Sequence, residues 1–186
     1  MADLFPPADR EKERKGKESL YFSRQSILSD CLLHAINNLL QTEAFTTLQL
    51  NDIADCIQPF SSSLQLWTPH RVKLFGSYDV NVLLKAVETK GIDISYYKQS
   101  DKDCVELPAS QKLIGFIANV EGTLFRQNHW LAIICHDGYW YVLDSKLAEP
   151  FLIEEDHAGS VPIMFNRMRD DGRRYTFFKC LSVKEE

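Results

Sequence analysis

Ser29-Asp30-Cys31-Leu32-Leu33-His34-Ala35-Ile36-Asn37-Asn38-Leu39-Leu40-Gln41 is the stretch on which the reading of this chain turns. Leu32, Leu33, Ile36, Leu39 and Leu40 recur at helical spacing, and Ser29 or Asp30 can cap the helix they define. Cys31 then falls in the first turn. A helix N-terminus presents unpaired N–H groups and partial positive charge, and both stabilise a thiolate. Asp30 works the other way if its carboxylate faces the sulfur, so it is expected to point outward or to cap. A lone cysteine is more commonly a small core residue. Cys31 stands out because a base and an orienting acceptor follow it in the chain.

The base is His129, which opens a strand-like run, with Trp130 facing the opposite side, into the core or a substrate groove. Trp130-Leu131-Ala132-Ile133-Ile134-Cys135 and Tyr139-Trp140-Tyr141-Val142-Leu143 flank Asp137-Gly138, the dipeptide of a tight type I′ hairpin. Counted outward from His136 opposite Tyr139, Asp144 falls opposite Leu131 and one diagonal step from His129, on the same face. A carboxylate there can accept the Nδ1–H of His129 and hold the useful tautomer. Cys31, His129 and Asp144 thus form the order nucleophile, base, orienter. An acyl-transfer site also needs oxyanion donors. The amide of Gln25, six residues before Cys31, can join the backbone N–H of Cys31 in that role.

Other elements are read more coarsely. Thr46 or Thr47 caps a second helix that buries Leu48, Leu50, Ile53, Ala54 and Ile57. Trp67–Phe75 is ambiguous, and Gly76 ends it. Asp79 caps a third helix through Lys90, burying Val80, Leu83, Leu84 and Val87, with Gly91 as its left-handed closing residue. Strands are expected over Ile92–Tyr97, Ile114–Val120 and Tyr175–Val183, and a last helix over Ser160–Met168 with Pro162 in its first turn. Helices first and mostly antiparallel strands after make an α+β fold, not the alternation of a Rossmann fold.

At 186 residues and 45% hydrophobic, the chain suits one domain with a real core. A charged arm over residues 1–19 precedes a domain over 20–183. The net charge of −5 gives no general reason to expect nucleic acid or an anionic membrane as partner. No run is apolar enough to span a bilayer, and no signal-peptide core follows Met1. The cysteines, Cys31, Cys56, Cys104, Cys135 and Cys180, match no zinc spacing and number five, so free thiols in a reducing compartment are expected, four of them in or near the core. No metal or cofactor is implied.

Four segments together resemble the Josephin family of papain-like cysteine proteases. They are Gln25 with Cys31–Gln41; Gly76-Ser77-Tyr78-Asp79-Val80-Asn81-Val82; Asn128-His129-Trp130; and Trp140-Tyr141-Val142-Leu143-Asp144-Ser145-Lys146-Leu147. The resemblance covers residues 20 to 183. It implies a papain-like Josephin fold, N-terminal helices packed on a mostly antiparallel sheet, and the activity of a deubiquitinase. By motif position it makes Cys31 the nucleophile, His129 the general base and acid, Asp144 the orienting residue and Gln25 the oxyanion-hole glutamine. His34 becomes a packing residue, Tyr78–Val82 scaffold, and Trp130 a wall of the channel that admits the ubiquitin tail or a core residue. The implied partner is ubiquitin or polyubiquitin, acted on by a monomer in the cytoplasm, or in host cytosol for a secreted effector. The spacing from Gln25 to Cys31 is one residue longer than is usual in the family, and Leu48–Phe75 aligns poorly where the family carries a mobile helical arm. The rival readings are a cysteine peptidase for a ubiquitin-like modifier or another peptide, and a non-catalytic ubiquitin-binding module.

Overall fold

Helix α1 spans Cys31–Leu40, with Asp30 at its N-cap and Gln41 closing it in the left-handed region. In this computed structural model, which describes residues 16–25, 30–58, 67–68, 70–72, 77–97, 110–122, 128–157, 160–170 and 172–183, most of α1 is buried, including Asn37 and Asn38. The two amides repay their burial with backbone hydrogen bonds. Asn37 bonds both the N–H and the carbonyl of Phe45. Asn38 does the same for Ser23 and Gln41 for Tyr21. The segment before α1 is therefore held along the helix by side-chain amides standing in for a neighbouring strand.

Helix α2 (Thr47–Ile57) starts at a full capping box between Thr46 and Gln49. It buries Leu50 and Ala54, whereas Leu48, read as a core residue, is 74% exposed. Short antiparallel strands β1 (Trp67–Thr68), β2 (Arg71–Val72) and β3 (Ser77–Tyr78) follow. Part of the ambiguous Trp67–Phe75 stretch is thus hairpin; residues 73–76, with Gly76, lie outside the described residues, as do residues 1–15 of the charged arm. Helix α3 (Val80–Glu88) is capped by Asp79, whose Oδ1 accepts from the N–H groups of Asn81 and Val82. Its buried residues are Val82, Leu83, Ala86 and Val87; Val80 is half-buried against the same core, whereas Leu84, expected inside, is exposed. Thr89 and Lys90 form the turn into Gly91, which has positive φ.

The main sheet holds β4 (Ile92–Tyr96), β5 (Gln111–Val120), β6 (His129–His136), β7 (Tyr139–Leu143), β8 (Phe151–Glu155) and β9 (Tyr175–Val183). Their order is β4-β9-β5-β6-β7-β8, with every neighbouring pair antiparallel. Trp130, Ala132, Ile134, Tyr141 and Leu143 join the core under α1, α2 and α3. Leu131, Ile133, Trp140 and Val142 join a second core with helix α4 (Ser160–Arg169). The central strands β6 and β7 are buried on both faces, which is why β6 reads as a continuous apolar run. The β6–β7 ladder runs from His136 opposite Tyr139 to Ala132 opposite Leu143 without a bulge, as counted from the turn. Asp137 and Gly138 both have positive φ, as type I′ requires.

Strand β8 is not announced by the sequence pattern. Trp140 pairs with Glu154 and Tyr141 with Leu152, so Ile153 is an extra residue that breaks the alternation. The free cysteines Cys56 and Cys135 are exposed rather than core; Cys180 is buried and Cys104 lies outside the described residues. Among the described residues no helix is long and apolar enough to cross a membrane.

Gly115 sits at a bulge in the β5–β9 ladder with φ of 156°. A Cβ there would collide with the backbone carbonyl oxygen of Ile133 on the adjoining strand, which cannot swing aside as a side chain could. Gly115→Ala is therefore expected to destabilise the fold by about 3 kcal/mol, from overpacking and backbone strain together. Urea unfolding would read this as a lower midpoint at unchanged slope.

Candidate active site

Three sequence-distant elements meet at one end of the sheet. Cys31 is the first residue of α1, His129 the first of β6, and Asp144 the residue after β7. The last β6–β7 ladder pair is Ala132 with Leu143, so His129 and Asp144 both lie past the ladder, on its rim. Cys31 is 5% exposed and His129 7%.

The imidazole donates Nε2–H to Asp144 Oδ1 at 2.6 Å. The sequence reading expected Nδ1 in this role; the register was right, but the ring is turned the other way. With Nε2 committed to Asp144, Nδ1 is the acceptor of the neutral ring. The sulfur of Cys31 also acts on this ring, favouring its protonated form. Asp144 is itself held by the backbone N–H of Lys146, donated to Oδ1 at 2.9 Å, in a turn closed by Leu147 N–H to Asp144 O.

Burial opposes charge on both partners. For His129 it is outweighed by the hydrogen bond the ring donates to the Asp144 carboxylate, by the Cys31 sulfur and by the charges of both, and the pKa lies above that of an ordinary histidine. For Asp144 it is outweighed by the hydrogen bond and charge of His129 and by Lys146, and the carboxyl lies below the usual range. The pair is thus tuned toward imidazolium and carboxylate. Asp30 accepts from Thr47 Oγ1 at 2.7 Å and makes no side-chain cap, so its carboxylate is drawn toward α2.

Gln25 is placed beside this constellation by Ser145. Its N–H donates to Ser145 O at 3.1 Å, and its Oε1 accepts from Ser145 Oγ at 3.0 Å. Residues 26–29, between Gln25 and the helix cap, lie outside the described residues. Trp130 is 5% exposed, packs near Phe178, and donates its indole N–H to Tyr78 O at 3.1 Å. A side chain so covered offers almost no surface to a substrate. Of the two roles read for it, the core one matches its place.

His34 is more than packing. Its Nδ1 meets Ser23 Oγ at 2.7 Å, beside the Asn38 clamp on the same residue. Burial holds its pKa below the ordinary value, against the pull of Asp30, so it stays neutral. The chain before Cys31 is thus fixed at Tyr21, Ser23 and Gln25. The polar positions His34, Asn38 and Gln41, spaced along one side of α1, were the available signal for this.

A sequence model of the Josephin family matches residues 26–172. A Josephin-like protein of Arabidopsis thaliana is 35% identical over 154 residues, 76% of this chain and 42% of that protein. A Josephin-like protein of Drosophila melanogaster is 34% identical over 133 residues, covering 64% and 57%. Josephin-2 of Mus musculus is 32% identical over 147 residues, 74% of each chain. The chain therefore spans about half the length of the first two relatives and about three quarters of the third.

A histidine titration by NMR would check the electrostatics. His129 is expected to titrate above the ordinary histidine range. Its midpoint should fall in Asp144→Ala, where burial loses its main opponent. An unchanged midpoint would mean that Asp144 does not set the charge of the ring.

Proposed function

This chain belongs to the Josephin family, with its papain-like cysteine protease fold, and from that premise we propose that it is a deubiquitinase, hydrolysing the bond at or near the C-terminus of ubiquitin in conjugates or chains. What supports the reading is Cys31 at the start of α1 acting on His129, whose ring is hydrogen-bonded to Asp144. A binding module has no need of a thiol set against a histidine whose basicity is raised by a buried carboxylate.

The thiol proton passes to His129 Nδ1, and the Cys31 thiolate attacks the carbonyl carbon. The carbonyl oxygen takes up negative charge. The backbone N–H of Cys31, which as the first helical residue has no partner within α1, and the Gln25 amide donate to it. As the intermediate collapses, the C–N bond breaks and His129 gives its proton to the leaving amine. Water then loses a proton to His129 and attacks the thioester carbon. Sulfur leaves as thiolate, and the acid product departs. Asp144 stays ionised throughout and keeps the ring in place. With Cys31 almost covered, the site favours a slender, flexible peptide over a folded segment, as the tail of ubiquitin is.

Ubiquitin carrying a thiol-reactive electrophile at its C-terminus should form one adduct, seen by intact mass, that disappears in Cys31→Ala. No adduct, while a small alkylating reagent still modifies Cys31, would overturn the choice of ubiquitin. Asp144→Ala should lower kcat on a fluorogenic ubiquitin substrate by about a hundredfold with little change in KM. Its alkaline limb of kcat/KM should move to lower pH, because the proton on His129 is held less tightly.

A further inference from the structure

Ser145 is 2% exposed and directly follows the residue that orients the base. Its hydroxyl donates to Gln25 Oε1 at 3.0 Å, and its carbonyl accepts the Gln25 backbone N–H at 3.1 Å. Two contacts thus tie Gln25 to the turn over residues 144–147. That turn also carries Asp144, with the Lys146 N–H on its carboxylate.

A glutamine amide has two nearly isosteric ends of opposite polarity. Only the NH₂ end can stabilise a developing oxyanion; the carbonyl end would repel it. An unconstrained side chain can present either. Here the buried hydroxyl proton of Ser145 must be donated inside the protein, and Gln25 Oε1 is where it goes. Rotating the amide by half a turn would exchange that acceptor for a donor and take the acceptor away from the hydroxyl proton. The backbone contact fixes the position of the residue; the hydroxyl contact selects which end of the amide remains available.

We propose that Ser145 is a positioning residue for the oxyanion hole, holding the Gln25 amide so that Nε2–H, not Oε1, is presented to the acyl oxygen. The inference rests on the hydrolase reading above and adds to it a residue without chemistry of its own. It also makes one short turn responsible for two functions. Asp144 orients the base, and its neighbour orients the oxyanion donor.

The test is a double-mutant cycle between Ser145→Ala and Gln25→Ala on ubiquitin bearing a fluorogenic C-terminal amide. Ser145→Ala is expected to lower kcat about tenfold with KM within about twofold, and to have no further effect in the Gln25→Ala background. Alkylation of Cys31 by iodoacetamide forms no oxyanion, so its rate should stay within about twofold of wild type in both variants. A kcat unchanged in Ser145→Ala, a loss that adds in full to that of Gln25→Ala, or an equal loss in the alkylation rate would each overturn the assignment. The last would place the effect on the relay, through Asp144. If Ser145→Ala does not keep the wild-type unfolding midpoint, Ser145→Cys, with a weaker donor in the same place, serves instead and should show a smaller, still non-additive loss. Failure of the wild-type protein to turn over the ubiquitin substrate would strike the deubiquitinase reading alone. The same cycle on a small activated ester, whose hydrolysis also passes through an oxyanion, would then decide the role of Ser145.

Discussion

Everything at the site depends on the packing of α1 against the sheet. Cys31 and His129 lie on different elements far apart in the chain, and no local preference brings them together. The helix is seated by Leu32, Ile36 and Leu39, which share one core with Ile117, Ala132 and Ile134 of the sheet. Fully burying three such side chains is worth roughly 5–9 kcal/mol before the entropy of ordering is set against it. That is enough to define where the helix begins relative to the rim of β6. Because Cys31 is the first residue of the helix and His129 the first of the strand, the thiol and the base inherit their separation from two rigid element ends, not from flexible loops.

A second layer of constraint refines the first. Apolar packing is non-directional and cannot orient a carboxamide or an imidazole. Directional order comes from hydrogen bonds between side chains and backbone. Asn38 and Gln41 clamp the segment before α1 at Ser23 and Tyr21. His34, kept neutral by burial, meets the Ser23 hydroxyl. At the far end of that segment Gln25 is tied to Ser145. The polar side of α1 therefore has a use that its apolar side does not. It sets the path of the chain that delivers a polar group to the site, while the apolar side sets the depth of the helix.

The sequence carried some of this and not the rest, for reasons that differ by residue. The start of α1 was legible because helical spacing and capping are local. The diagonal relation of His129 to Asp144 was legible because the Asp137-Gly138 turn defines a register, and no bulge interrupts it. The nitrogen of His129 that faces Asp144 was not legible, because register places a residue on a face and says nothing about ring rotation. Ile153 hid strand β8, since a bulge defeats a period of two. Leu48 was misplaced because apolar residues recurring at helical spacing do not say which of them the tertiary contacts cover. The Ser145–Gln25 contact joins residues 120 apart in the chain, and neither residue has a spacing that points to the other.

The electrostatic economy of the arrangement explains why so covered a site can still ionise. Burial alone would disfavour charge on both His129 and Asp144, yet each is shifted toward its charged form by its partners. With the proton on sulfur, the thiol and imidazole are neutral and the carboxylate carries the one negative charge of the three groups. When the thiol proton moves to the ring, sulfur becomes negative and the ring positive, so the net charge of the three groups is unchanged. No new net charge has to be brought into a poorly solvated place; an existing proton is only shifted from sulfur to ring. In the proposed hydrolysis, attack on a carbonyl would then carry the negative charge from sulfur to oxygen, beyond the reach of His129 and Asp144. The relay cannot compensate it there. A second set of donors at that position is therefore a requirement of the same physics that made the first proton transfer inexpensive, and the turn that holds Asp144 is also the turn that holds Gln25.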